Sequence, residues 1–256
     1  MIGAFVGVIA ALVPASTGAG AARPPVFLRA APARLALAGS GRAVVRVTNS
    51  GTNRVLVDVS RAGFALDLHG RPRIVRRGGA RSAARWLTLR PMHFALAPRA
   101  AATLAVASKV PRHAEPGDHD ALVLLSTRPL GKGRVAVRLR MGLVVVVRAP
   151  GKVVRRLELH GLRVARRGKR RALDVIIANR GNVTESLHGA HAVVSRAHNG
   201  RHVATLVAGS RDLRPRTRGI VEFRFRGRPR GAMTARVVIV AEPGRRLLRR
   251  TFRIRL

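Results

Sequence analysis

Ala43-Val44-Val45-Arg46-Val47-Thr48-Asn49-Ser50-Gly51-Thr52-Asn53-Arg54-Val55-Leu56-Val57-Asp58-Val59-Ser60 is the stretch that decides the fold class. Residues 43–48 alternate valine with arginine, Asn49-Ser50-Gly51 supplies a turn, and residues 54–60 alternate again. A period of two between turn residues is the pattern of half-buried strands. Basic residues on the alternate positions mark antiparallel sheets with one wet side, where an arginine stem still covers apolar surface. The same reading predicts strands at Ala102–Ser108, Asp120–Thr127 and Arg134–Arg140, the last running toward Val147. Helical periodicity is nearly absent.

The second half of the chain repeats the first. Val45-Arg46-Val47-Thr48-Asn49-Ser50-Gly51 matches Val175-Ile176-Ile177-Ala178-Asn179-Arg180-Gly181. Leu96-Ala97-Pro98-Arg99 and the strand around Thr103–Ala107 match Leu213-Arg214-Pro215-Arg216 and the strand Ile220–Phe225. The turn Pro111–Gly117 and its following strand match Arg228–Gly231 and Ala235–Val240. Three matches in one order predict an all-β chain of two tandem immunoglobulin-like β-sandwich domains, at 23–148 and 149–256, joined near Ala149-Pro150-Gly151. Two copies are too few for a solenoid.

Composition bounds the chemistry. Of 256 residues 47% are hydrophobic, enough for packed cores, but only 3% are aromatic, so valine, leucine, isoleucine and alanine must fill them. There is no cysteine, hence no disulfide, thiolate metal site or thiol nucleophile. The net charge is +39, from 50 Lys and Arg against 11 Asp and Glu, and both halves carry it. Such a chain attracts polyanions with an affinity that falls as salt rises.

Residues 2–13 form an uncharged apolar run, followed by Pro14 and small residues through Ala22. Ala19-Gly20-Ala21 offers the small residues that a signal peptidase accepts, so residues 1–22 read as a signal peptide and the chain as exported. No Lys or Arg precedes the run, which an upstream start codon would supply. The run is too short to cross a bilayer, and Leu143–Val147 is shorter still, so no transmembrane span is expected in the mature chain.

Residues 85–123 carry the most specific pattern: Trp86-Leu87-Thr88-Leu89, then Pro91, Phe94-Ala95-Leu96-Ala97-Pro98, Val110-Pro111, Ala114-Glu115-Pro116-Gly117-Asp118-His119 and Ala121. It resembles the WxL-interacting proteins of Gram-positive surfaces, specifically their N-terminal peptidoglycan-binding domain. The resemblance covers most of residues 25–148. It implies an immunoglobulin-like sandwich that binds peptidoglycan, followed by a second sandwich that binds a partner protein, with Trp86, Pro91, Phe94, Leu96, Pro98, Pro111, Gly117 and His119 as the shared motif. Read locally, Trp86 is a core or edge anchor, with a carbohydrate-stacking platform as the sharper alternative, and the prolines close turns.

No catalytic constellation is complete. There is no Gly-x-Ser-x-Gly elbow, phosphate loop or dinucleotide fingerprint, and although Glu158 and Asp174 are available as carboxylates, nothing aligns them. His113, Glu115, Asp118, His119 and Asp120 are dense enough to suggest Zn²⁺ or Ca²⁺, yet Glu115–Asp118 already reads as a turn, and no metal or other cofactor is expected. His188 and His191, and His198 and His202, have spacings that do not converge on one face of a strand.

The basic runs Arg76-Arg77, Arg166-Arg167-Gly168-Lys169-Arg170-Arg171, Arg245-Arg246 and Arg249-Arg250 are candidate polyanion contacts, since arginine grips phosphate or carboxylate bidentately. Sequence-specific reading of nucleic acid is not expected, without a helix for the major groove or aromatics for stacking. The expectation is therefore a non-catalytic, exported cell-envelope scaffold, extracellular or wall-associated, docking on peptidoglycan, anionic wall polymer or a partner surface protein. The alternatives are a chaperone-like assembly factor that receives a partner strand at an exposed sheet edge, or a basic nucleic-acid-binding protein.

Overall fold

The computed structural model describes residues 26–75, 79, 81–128, 138–242 and 246–256. The apolar run 2–13 and the expected cleavage region lie outside them, as do residues 134–137 of the strand expected at 134–140. The chain forms two compact units: one runs to Phe64 and includes Ile74–Glu115 and His119–Pro150, the other comprises Ala65–Arg73, Pro116–Asp118 and Gly151–Leu256. Both are all-β and immunoglobulin-like.

In chain order the first ten strands are β1 (Leu28–Ala31), β2 (Arg34–Ala38), β3 (Arg42–Asn49), β4 (Val55–Leu66), β5 (Pro72–Val75), β6 (Leu87–Arg90), β7 (His93–Leu96), β8 (Ala101–Ser108), β9 (Gly117–Arg128) and β10 (Arg140–Ala149). Among the described residues they form one sheet in the order β1-β3-β8-β6 and a second in the order β2-β10-β9-β4-β5, with β7 also on β4. The alternation that predicted β3 is what builds it. Val45 and Val47 are fully buried, whereas Val44 and Arg46 face solvent. The core is almost wholly Val, Leu and Ala, including Leu35, Leu37, Val57, Leu104, Val123, Leu125 and Val145, each large side chain contributing about 1.5–3 kcal/mol by leaving water.

The remaining strands are β11 (Leu157–Arg167), β12 (Arg170–Asn179), β13 (Glu185–Arg196), β14 (His202–Val207), β15 (Arg211–Leu213), β16 (Arg218–Arg224), β17 (Ala232–Glu242) and β18 (Arg246–Arg255). They form the sheets β11-β12-β16 and β14-β13-β17-β18, with β15 on β13. Leu173, Val175, Ile177, Ala192, Phe223, Met233, Val237 and Ile239 lie in their core.

The internal repeat is structural. Gly51 N–H donates to Asn49 Oδ1 (3.0 Å) and Gly181 N–H to Asn179 Oδ1 (2.9 Å), the same side-chain turn at the end of β3 and of β12. Arg99 and Arg216, the last residues of the Leu-x-Pro-Arg repeats, have φ of 63° and 56°. They are the non-glycine residues of left-handed conformation among those described.

Candidate functional site

The open side of β10 is the most consequential edge of the first unit. β10 lies between β9 and β2, but parallel pairing with β2 covers only Val144–Arg148, opposite Arg34–Ala38. Among the described residues nothing pairs with Arg140–Leu143 on that side. The direction of the backbone groups there follows from their neighbours. Thr127 N–H donates to Leu139 O (2.9 Å) toward β9, whereas Val144 N–H donates to Ala33 O (3.1 Å) on the opposite side. Alternation then turns the N–H and C=O groups of Arg140 and Gly142 outward, as a template for another strand. Leu139 and Met141 are half-buried against the core at this open end, and Arg138, Arg140 and Gly142 are exposed. The signal in sequence is the alternation Arg138-Leu139-Arg140-Met141 ahead of the valine run; what cannot be read there is how far β2 extends alongside it.

An ion pair ties β4 to the end of β9, the inner neighbour of β10. Asp58 on β4 accepts two hydrogen bonds from Arg128 at the end of β9, from Nε (2.6 Å) and Nη2 (2.7 Å), and its Oδ1 lies 2.7 Å from His93 Nδ1 on β7. The Arg128 hydrogen bond, then that of His93, holds the Asp58 carboxyl far below the usual carboxylate range, and Asp58 in turn raises the Arg128 guanidinium.

The candidate polyanion residues that are described lie on the β11–β12 hairpin and on β18. Arg76, Arg77 and Arg245 lie outside the described residues, and Arg246 begins β18. Arg166–Arg171 is the β11–β12 hairpin, with Gly168 at φ 61°. Arg167 donates to Glu222 (2.8 Å) and to the fully buried Asp174 (2.9 and 3.2 Å), and the Glu222 hydrogen bond raises its pKa. Arg171 Nη1 donates to Pro229 O (3.3 Å). Arg166, Lys169 and Arg170 remain exposed at the hairpin. The Arg249-Arg250 pair is split by alternation, with Arg250 donating to Leu159 O (2.8 Å) and lying over the Phe252 ring, while Arg249 faces away.

The motif residues hold structural positions. Trp86 packs against the core, its ring 4.3 Å from that of the buried His119 and tilted by 45°. Leu96 is buried and Phe94 half-buried, while Pro91, Pro98 and Pro111 stand exposed between strands. Of the candidate metal ligands, His119 Nε2 lies 2.7 Å from Glu115 O, the Glu115 carboxylate pairs with Arg81, and Asp118 Oδ2 accepts from Thr184 N–H (2.7 Å). Gly117, at φ 107°, approaches Asn182 O so closely that a Cβ would sit 2.0 Å from it. Glu158 meets Arg156, Arg180 and His160, and Asp174 meets Arg163 and Arg167, so the two carboxylates serve separate ion pairs.

One expectation about the histidines is corrected. His188 and His191 lie on β13 and pair with Val240 and Val238, two residues apart, because a bulge between them absorbs one residue. A spacing of three thus converges on one face, which regular alternation forbids.

No protein-family model matches the chain, and no characterised protein matches it in sequence. The similarity found is to solved structures. A chain from a chaperone–tip adhesin complex in the biogenesis of CFA/I fimbriae aligns with a TM-score of 0.51 at 13% identity, over 88% of this chain and 98% of its own. The CupB2 chaperone of Pseudomonas aeruginosa has a TM-score of 0.46 at 14% identity, over 89% of this chain and all of its own. For the DraB chaperone of E. coli the values are 0.44 and 13%, over 90% and 99%. At 13% identity the first of these likenesses establishes the fold alone. The expectation of docking on peptidoglycan or anionic wall polymer is corrected: the solved structure of like fold comes from a chaperone–tip adhesin complex and not from a wall-binding protein.

Proposed function

We propose that this chain is an exported, non-catalytic, chaperone-like assembly factor that holds a surface-protein subunit by accepting its strand on the open edge of β10. The observation that carries the reading is the stretch Arg140–Leu143, which on the side away from β9 has no partner among the described residues, with outward-facing backbone groups and the half-buried Leu139 and Met141. A partner strand laid there gains main-chain hydrogen bonds and sets alternate apolar side chains against those two residues, the physics of strand addition. Arg138 and Arg140, at the start of the stretch, favour an acidic or carboxylate-terminated partner.

The test is direct. A labelled decapeptide alternating valine with threonine is titrated into the chain while amide exchange is followed. Binding with protection of the Arg140 and Gly142 amides is expected, and Gly142→Pro, which removes one outward donor, abolishes it. Peptide binding that leaves these amides exchanging freely, or that survives Gly142→Pro in a folded chain, overturns the reading.

A further inference from the structure

The sheet β14-β13-β17-β18 has a second face that its core does not use. Leu206, Ala192, Val194, Val237 and Ile239 point inward, so the residues alternating with them point out. Following the register across β14, β13, β17 and β18, one outward row reads His202, Ser195, Thr234, Arg253. The next reads Thr205, Val193, Arg236, Thr251, and the next Val207, His191, Val238, Arg249. A last row, His188, Val240, Leu247, is complete on three strands because of the bulge that brings His188 to this face. Val207 is 73% and Leu247 48% exposed. Arg236, Arg249, Arg253 and Arg255 are exposed, and none of the four makes an ion pair or side-chain hydrogen bond among the described residues. Asp212 lies opposite Ser186 at the far end of the sheet and accepts a hydrogen bond from its hydroxyl.

We propose that this face docks on an anionic lipid bilayer. Neighbouring strands stand about 4.8 Å apart, so four strands present a broad surface with aliphatic side chains among free guanidinium groups. Shallow apolar contact combined with attraction to acidic head groups is how surface-bound proteins hold a membrane. A second copy of the chain would bring like charges together, and a protein partner would meet none of the large aromatic anchors that concentrate binding energy. This surface does not depend on strand capture at β10.

The experiment is co-sedimentation of the full chain with vesicles of phosphatidylcholine alone or mixed with phosphatidylglycerol, across a salt series. The chain is expected to pellet with the phosphatidylglycerol vesicles at low salt and to stay in solution with phosphatidylcholine. Each arginine near an anionic surface strengthens binding about fivefold, so R236Q/R249Q/R253Q/R255Q should weaken it several-hundredfold. R166Q/K169Q/R170Q/R201Q removes the same charge elsewhere and should cost far less, while V207S/L247S should weaken binding without altering charge. Equal losses in the two charge variants would assign the effect to net charge and overturn the proposal. So would binding retained by the folded R236Q/R249Q/R253Q/R255Q chain, equal pelleting with phosphatidylcholine through the apolar run 2–13, or a dimer in solution that this variant dissociates.

Discussion

Asn49 and Asn179 brace the same turn in the two units from the same buried position. Asn49 Nδ2 donates to Asn53 O (2.8 Å), Leu96 O (3.2 Å) and Ala97 O (3.2 Å); Asn179 Nδ2 donates to Val183 O (2.8 Å) and Leu213 O (3.0 Å). Residues 53 and 183 are each four positions on, and Leu96 and Leu213 are partners in the internal repeat. Both asparagines are at most 1% exposed. Alanine at Asn49 leaves the buried Leu96 carbonyl, and at Asn179 the buried Val183 and Leu213 carbonyls, without this donor, and in each case one buried glycine N–H without its acceptor; each such group costs about 1–3 kcal/mol. Asn49→Ala and Asn179→Ala are therefore each expected to lose about 2–4 kcal/mol in urea unfolding. Asn49→Asp should be worse, because a carboxylate cannot donate to Leu96 O. The chain's one tryptophan, Trp86, lies in the first unit and reports the Asn49 variants by fluorescence; a substitution at Asn49 that leaves its unfolding midpoint in place would refute this account.

Arg99 and Arg216 sit one turn away with positive φ, a conformation that costs a residue bearing Cβ about 1–2 kcal/mol. Glycine removes that cost and adds about 0.5–1 kcal/mol of unfolded-state entropy. Arg99→Gly and Arg216→Gly are thus expected to stabilise slightly, by about 0.5 kcal/mol each, with additive effects. Destabilisation by either substitution would show that the arginine stem does packing work that its exposure does not suggest.

Much of the frame was legible because period-two alternation maps directly onto burial, as at Val45 and Val47, and because the Asn-x-Gly and Leu-x-Pro-Arg repeats mark equivalent turns. The candidate site was less so. The free edge at Arg140–Leu143 exists because β2 pairs with β10 for only five residues, a matter of register between distant segments. Among the basic runs, Arg249 and Arg250 are adjacent on a strand and so face opposite ways, a division that the run of letters does not announce. The His188–His191 convergence depends on a bulge, which spacing alone does not announce.

Acid should loosen the Asp58–Arg128 pair between β4 and β9. The Asp58 carboxyl is held below its ordinary value near 3.9, so its contribution to stability is fully present above that pH. That contribution is lost as pH falls below about 4 toward the lowered folded-state value. Stability should decline through this acidic range in the wild-type chain and less steeply in Asp58→Asn, which cannot titrate. Parallel acid slopes for the two proteins in urea melts would remove Asp58 from the account.

Gly142 and Gly181 make opposite demands on a methyl group. At Gly142 a Cβ would meet only Leu122 Cδ2 and Leu124 Cδ2, at 3.6 and 3.7 Å, ordinary contact with side chains. At Gly181 it would fall 2.3 Å from Val154 O and 3.0 Å from Arg156 N, both backbone atoms. Gly142→Ala should therefore change stability by less than about 1 kcal/mol, since alanine forfeits no backbone donor and loses less entropy on folding. Gly181→Ala forces one segment of backbone away from another and should cost more than about 2 kcal/mol. The contrast also separates fold from function at the open edge. Gly142→Ala keeps the outward N–H and should still accept the test peptide, whereas Gly142→Pro should not. If Gly142→Ala lost the peptide as completely as Gly142→Pro, the methyl and not the missing donor would be responsible, and the strand would have to dock on the face of the sheet instead of its edge.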